Sequence, residues 1–525
     1  MTLPMPESMN LLGQRSGYKS QEDRKTAELV FVLVEPIGGG AKQAAQALAE
    51  ILESPSYQYA VNPIKISEII QEEAEKRPLD EPAMHGDLAA VGFGLSEESK
   101  RINRLQQWGN QLRNINGPDY LAKKTIQKIF EYRLENGGFV DPQADNLIPQ
   151  PIRVVHIVRS IKNKAEYSLL RSVYGPMMIL VAVSGDYEQQ VKNFHQLADA
   201  REENSRIFKE YEVLAAIDQK EGPDHGQQVR DVFYRANLFI NSNVSTLKDD
   251  ICKFLSLLFS SRIISPTREE RMMFEAFSAS VRSTCLSRQV GAAIEDVYGD
   301  LVSVGWNDVP AYGGGVATDN VHEHVLCKHA RQCRSNKEKN LMLSAAYVKF
   351  QSSGLLKQKV SKEKFEELLK ASITNDLIEF SRAIHAEMEA ILSAARGCKA
   401  GLRGGTLYVT TYPCDNCVKH ILAAGIKRVV YIEPYPKSRA KAFFSDFLAD
   451  DNQPSEAEGR LQMAQFIGIA PESYVTLFRQ CGERKDKNGF LLNRSVSPMP
   501  RTAAFLDGYT HYEGLIAMEA TNEEK

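Results

Sequence analysis

Two short motifs in fixed order constrain this chain more than any bulk property: His385-Ala386-Glu387, then Pro413-Cys414-Asp415-Asn416-Cys417. A helical pattern runs from His385 to about Arg396, which places His385 and Glu387 in its first turn. Cys414 and Cys417, three residues apart, face the same way from the first turn of a second helix. A fold that uses these side chains together must bring two helix starts to one point. Strand-like runs at Thr406–Thr411 and Arg428–Ile432 each lie beside one of these helices.

One imidazole and two thiols supply three metal ligands and leave a fourth position for water, as a catalytic zinc site requires. The positive helix ends favour the thiolate form of the cysteines. H-x-E followed by P-C-x-x-C is the pattern of zinc nucleobase deaminases. Zn2+ is therefore the expected cofactor, with His385, Cys414 and Cys417 as ligands and Glu387 as proton shuttle. Zinc lowers the pKa of its water from about 15.7 towards 7, and the expected reaction is attack at C4 of a cytosine ring. Glu387 would take the water proton, pass it to N3 and later protonate the leaving ammonia. A structural zinc site or a thioredoxin-type pair are the competing readings. A redox pair has no need of His-x-Glu at a helix start, and a closed structural site wants a fourth ligand.

The chain has 525 residues, 64 Lys plus Arg against 67 Asp plus Glu, and a formal charge of −3. That balance excludes a generally basic coat for gripping phosphate backbones, though not a local basic groove. The longest apolar runs, Leu29–Val34 and Met177–Val183, fall far short of the roughly 20 residues of a membrane helix. No secretory signal is visible at the start, so the expected address is cytoplasmic. The eight cysteines are too sparse for a disulfide scaffold.

Residues 1–26 read as a flexible tail. Leu29–Val34, the turn Glu35–Lys42 and an Ala-rich helix to about Ser54 form the opening of an open α/β sheet. Strands are expected at Tyr59–Ile66, Arg153–Val158, Met177–Val183 and Ala236–Asn241, with helices between them, which implies a mostly parallel sheet. The rhythm changes after about residue 260. Ser265-Pro266-Thr267 leads into a helix over Arg268–Ser280, and Gln289–Glu295 with Leu301–Trp306 form a hairpin about Asp296–Asp300. Residues 311–380 read as a partly helical insertion. Two domains follow, spanning 27–255 and 262–525.

Beyond the zinc motif, Ser287–Ala293, Gly305–Pro310 and His385–Leu392 together resemble the deoxycytidylate (dCMP) deaminase branch of the cytidine deaminase superfamily. Joined to a P-loop-kinase-like domain, and with Ser160–Tyr174, Gly226–Ser242, Glu433–Arg439 and Phe466–Pro471, the chain is similar to the anti-phage deoxycytidine-nucleotide deaminases of the DcdV/AvcD type. The resemblance implies an α/β chain with a P-loop-kinase-like parallel sheet and a three-layer α/β/α deaminase domain. It implies deamination of dCTP, dCMP or both, starving phage replication. It further implies a homo-oligomer and regulation through the first domain, with a nucleotide, RNA or protein as inhibitor.

The same resemblance carries Asn307 over as a nucleoside contact, and Gln289 and Arg288 as substrate contacts. Lys437 is a candidate for substrate phosphate, against the plainer reading of a solvated turn lysine. Glu389 stands where many dCMP deaminases carry Asn. Cys327, His329 and Cys333, with His322 and His324 just before, would be a second metal set, and an ordinary loop is the competing reading.

The turn Glu35-Pro36-Ile37-Gly38-Gly39-Gly40-Ala41-Lys42 matches a phosphate-binding loop poorly. Gly38, Gly39, Gly40 and Lys42 are its candidate nucleotide contacts, through backbone N–H groups at the helix start. No hydroxyl follows for Mg2+, and Glu35 would repel a polyphosphate, so kinase activity is not expected. Two other readings of the whole chain stay open: a polynucleotide cytidine deaminase, and a non-catalytic regulator that keeps only a structural zinc.

Overall fold

The computed structural model describes residues 22–77, 79–80, 84–89, 91, 95–143, 147–185, 190–194, 204–219, 221, 224–242, 246–319, 324–356, 360–372, 381–398, 401–433, 438–450 and 459–522. It divides into two compact units, Met1–Ser265 with Ile467–Lys525, and Pro266–Phe466.

The first unit is built on strands β1 (Leu29–Val34), β2 (Ala60–Lys65), β3 (Val154–Arg159), β4 (Met178–Ser184) and β5 (Leu238–Asn241). They run parallel in the order β5-β4-β1-β3-β2. Every residue of β1 is buried, because a central parallel strand is covered on both faces. Helix α1 (Ala41–Glu53) follows the glycine turn and packs Ala44, Ala47, Leu48 and Leu52 into the core beneath the sheet. Helices α2 (Glu97–Asn116) and α3 (Tyr120–Glu135) fill the long β2–β3 connection, and α4 (Asn204–Gln219) lies between β4 and β5. The strands lie within two residues of the expected runs.

The second unit opens with α5 (Arg268–Ser280). Thr267 caps it, accepting from Glu270 N while the Glu270 side chain reaches back to Thr267 N, two otherwise orphaned donors satisfied reciprocally. Strands β6 (Gly291–Glu295) and β7 (Leu301–Trp306) form the expected antiparallel hairpin. Helix α6 (Arg334–Ser352) lies in the insertion, and α7 (Ala386–Arg396) and α8 (Asp415–Ala423) carry the motif residues. Strands β8 (Thr406–Thr411), β9 (Arg428–Glu433), β10 (Leu448–Asp450) and β11 (Leu461–Gln465) complete a sheet of order β10-β11-β9-β8-β6-β7.

Successive residues of a strand point to opposite faces, so Gly291 and Ala292 mark the two sides. A Cβ on Gly291 would lie 1.9 Å from Ala276 O of α5. A Cβ on Gly305, the cross-strand partner of Ala292, would lie 2.3 Å from Ala386 O of α7. Helices α5 and α7 therefore press on opposite faces, giving three layers, and glycine lets each approach closely. The structure is of the mixed α/β class expected, with parallel-rich sheets.

Two expectations about extent need correction. The second unit ends near Phe466 rather than running through residue 525. Gly468–Ile469 pairs antiparallel with β5, and the C-terminal helix Thr510–Asn522 packs on α3. The tail does not extend over all of 1–26 as a loose segment either. Residues 1–21 lie outside the described ones, and Lys25–Thr26 pairs with Ala504–Phe505.

Candidate active site

His385 and Cys414 are the residues immediately before α7 and α8, both in extended conformation, and Cys417 lies in the first turn of α8. The two helices pack side by side against the sheet through Ala386, Ala390, Cys417 and Val418, all fully buried. Their starts therefore meet, and His385 Nδ1 lies 3.3 Å from both Cys414 Sγ and Cys417 Sγ. Among the described residues this is the one cluster of three such donors within ligand distance of a common point.

The chemistry of the donor set fits a zinc ion. Hydrogen bonding to Cys414 pushes His385 up to about 9. Hydrogen bonding from Cys417, then from His385, pulls the Cys414 thiol down to about 5. Hydrogen bonding to the Cys414 thiolate and burial raise Cys417 well above the usual thiol range. Cys414 and Cys417 each share a hydrogen bond with His385. A divalent cation displaces the protons of such hydrogen bonds on binding. Glu387 is 4% exposed, against His385 and Cys417, and burial raises its carboxyl above the usual range. Such a group is suited to hold and release a proton.

A cavity of about 410 Å³ opens from this cluster, enough for a mononucleotide. Arg288, Asn307, His385, Glu387 and Cys414 line it. Asn307 holds its wall in shape: its Oδ1 accepts from Val290 N at 2.7 Å and its Nδ2 donates to Arg288 O at 2.9 Å. Arg288 pairs with Glu433 at 3.1 Å. Gln289 is not among the lining residues. Its side chain donates to Ser283 O at 2.8 Å, because in extended chain Arg288 and Val290 face the pocket and the residue between them faces away.

The second metal set is not assembled among the described residues. Cys327 and Cys333 line the cavity, whereas His329 turns to Asp319 at 3.3 Å. His322 and Lys437 lie outside the described residues. Glu389, buried in α7, pairs with Arg396 at 2.5 Å and does not line the cavity. Sequence reasoning missed Cys285, Ser335, Lys339, Arg382, Thr411 and Tyr412, which also line it. Thr411 and Tyr412 were signalled by their place before Pro413, whereas Lys339 carried no local signal.

In the first unit, Gly38 and Gly40 adopt positive φ, and a Cβ on Gly40 would lie 2.1 Å from Ser242 Oγ. Packing thus accounts for that glycine. Gly39 O accepts from Ser242 Oγ at 2.7 Å, and Lys42 is exposed on α1. Glu35 Oε2 accepts from Ala41 N at 2.6 Å, placing a carboxylate where a phosphate would sit at the helix start.

Residues 266–433 match the model of the cytidine and deoxycytidylate deaminase zinc-binding region. The chain is similar to the deoxycytidylate deaminase of Enterobacteria phage T2, 36% identical over 168 residues, covering 31% of this chain and 79% of the relative. It is similar in the same way to that of phage T4, at 35% over 166 residues, covering 31% and 77%. A solved dCMP deaminase from cyanophage S-TIM5, in complex with dCMP and dUMP, is 18% identical with a TM-score of 0.23, covering 39% of this chain and 99% of that one.

Proposed function

Because this chain belongs to the cytidine and deoxycytidylate deaminase family, we propose that its second unit hydrolyses the exocyclic amine of free deoxycytidine nucleotides, dCMP or dCTP, giving the uracil nucleotide and ammonia. The observation that carries this reading is the convergence of His385, Cys414 and Cys417 beside buried Glu387, at the floor of a cavity sized for a nucleotide. His385, Cys414 and Cys417 would hold zinc, which when bound activates water for attack at C4.

The chain's own groups do the rest. Glu387, kept short of easy ionisation by burial, accepts the water proton and delivers it to ring N3. It then takes the second proton from the oxygen now bonded to C4 and passes it to the amine as the C4–N bond breaks, leaving the C4 carbonyl and ammonia. Asn307 fixes the backbone at Arg288 and Val290, so the cavity wall is set before the base enters.

The finer reading is depletion of the deoxycytidine nucleotide pool as an antiviral defence in the cytoplasm, by a homo-oligomer regulated through the first unit. It rests on the resemblance of Ser160–Tyr174, Gly226–Ser242, Glu433–Arg439 and Phe466–Pro471 to anti-phage deaminases. No helix among the described residues is long and apolar enough to cross a membrane. The test is to incubate purified protein separately with dCMP, dCTP and cytosine-containing single-stranded oligonucleotides. Nucleotide chromatography should show uracil products from the free nucleotides. Deamination of oligonucleotides alone would overturn the reading.

A further inference from the structure

The first unit carries a cavity of its own. Strand order β5-β4-β1-β3-β2 sends the chain from β1 past β3 to β2, and from β3 back past β1 to β4. The connections leaving β1 and β3 therefore part in opposite directions. They open a crevice at the carboxyl ends of these strands, where open α/β sheets bind ligands. A cavity of about 210 Å³ lies there, half the volume of the deaminase cavity. Its walls are the segments that leave the strands: Glu35–Gly38 after β1, Ser160 and Lys162 after β3, and Ile66, Ser67 and Ile70 in the helix after β2.

The charged groups around this cavity are already matched. Lys162 pairs with Asp218 at 2.9 Å, Arg101 with Glu98 at 2.6 Å, and Arg113 with Glu166 at 2.7 Å. Glu35 accepts from Ala41 N and so holds the place a phosphate would take at the start of α1. A ligand bringing its own charge would have to break one of these pairs, so an uncharged one fits best. Ile37, Ile66, Ile70, Ile102 and Leu105 supply aliphatic walls, while Gln106 and Gln227 offer amides that both donate and accept. Apolar faces with a polar edge are what a nucleobase ring presents in turn. Burial raises the Asp218 carboxyl above the usual range although Lys162 stands beside it, and a ring N–H donated to it would offset that burial. Ser160 holds φ +70, in the left-handed region, and strain of this kind collects at ligand sites.

From this we propose that the cavity binds an unphosphorylated nucleoside, its base against the aliphatic walls and its edge read by Gln106, Gln227 and the Lys162–Asp218 pair. The first unit keeps the ligand crevice of a parallel sheet, while Glu35 closes the phosphate place beside it. This gives the first unit a ligand of its own, and it stands whether or not the second unit deaminates nucleotides.

The test is calorimetric titration of the full chain with deoxyadenosine, deoxyguanosine, thymidine and deoxyuridine, each beside its 5′-monophosphate. None of these carries a cytosine ring. At least one nucleoside should bind with a Kd below about 1 mM, and its 5′-monophosphate should bind no more tightly. Lys162→Met should weaken that nucleoside about ten-fold or more, the worth of a lost charged hydrogen bond. Ser67→Phe, which fills the cavity without touching an ion pair, should weaken it at least as much. That variant keeps the test decisive where Lys162→Met does not fold. Asn307→Ala, in the deaminase cavity, should leave the affinity unchanged. No nucleoside binding in the wild type, or a 5′-phosphate that tightens it, overturns the proposal. So does binding that survives Ser67→Phe at full strength, or binding that Asn307→Ala abolishes.

Discussion

Arg133 and Glu513 stand 380 positions apart in the chain, yet Arg133 Nε lies 3.1 Å from Glu513 Oε2, both side chains fully buried. The same guanidinium donates to Glu28 at 2.8 Å, beside His156. The C-terminal helix is thereby tied into the first unit by charge as well as by packing. Removing one partner of a buried ion cluster strands the others, at roughly 3 to 5 kcal/mol. Arg133→Met is expected to lower first-unit stability by that order in urea unfolding, with the second unit's zinc content unchanged. A variant as stable as the wild type would contradict the assignment.

The cluster also sets a pH dependence. Burial alone would raise Glu28, but Arg133, His156 and Tyr509 outweigh it and hold its carboxyl down at about 2, against 4.5 ordinarily. A depressed carboxyl contributes stability that is fully present above the unfolded value and lost as pH falls towards the folded one. The stability difference between wild type and Glu28→Gln should therefore shrink as pH falls from about 5 to about 3. A difference that grew on acidification would show the sign to be wrong.

The glycine turn of the first unit leads to an expectation about phosphate. Glu35 occupies the helix start through Ala41 N, Lys42 is exposed, and no hydroxyl follows it. Purified protein should transfer no phosphoryl group from ATP in the presence of Mg2+. Radiolabelled ATP turnover above background, lost in Gly40→Val, would contradict this.

The metal centre makes a prediction independent of turnover. Cys417→Ala deletes one of three converging donors and should reduce bound zinc to near background by elemental analysis. Full zinc retention in that variant would show that the ligands lie elsewhere.

Much of the site was legible because its ligands come in tight local pairs. His385 with Glu387, and Cys414 with Cys417, each need only one helix start to take their geometry. The segment Ser265-Pro266-Thr267 likewise announced α5, and β1 declared itself by an unbroken apolar run. What was not legible depends on distant contacts. The return of residues 467–525 to the first unit rests on Arg133 meeting Glu513 and on Gly468–Ile469 reaching β5, which no local pattern encodes. Gln289 turns to Ser283 O rather than the cavity because Asn307 grips the backbone on either side of it, at Arg288 and Val290, a contact no local pattern encodes. Lys339 escaped notice because the insertion's path over the cavity is a tertiary fact.

The most direct test of the central claim is Glu387→Gln measured against wild type for dCMP and dCTP deamination, with zinc content determined on the same samples. The substitution leaves His385, Cys414 and Cys417 in place and removes the proton carrier. Zinc should remain at the wild-type level while kcat falls by about two to four orders of magnitude. Deamination continuing at the wild-type rate with zinc retained would contradict the account.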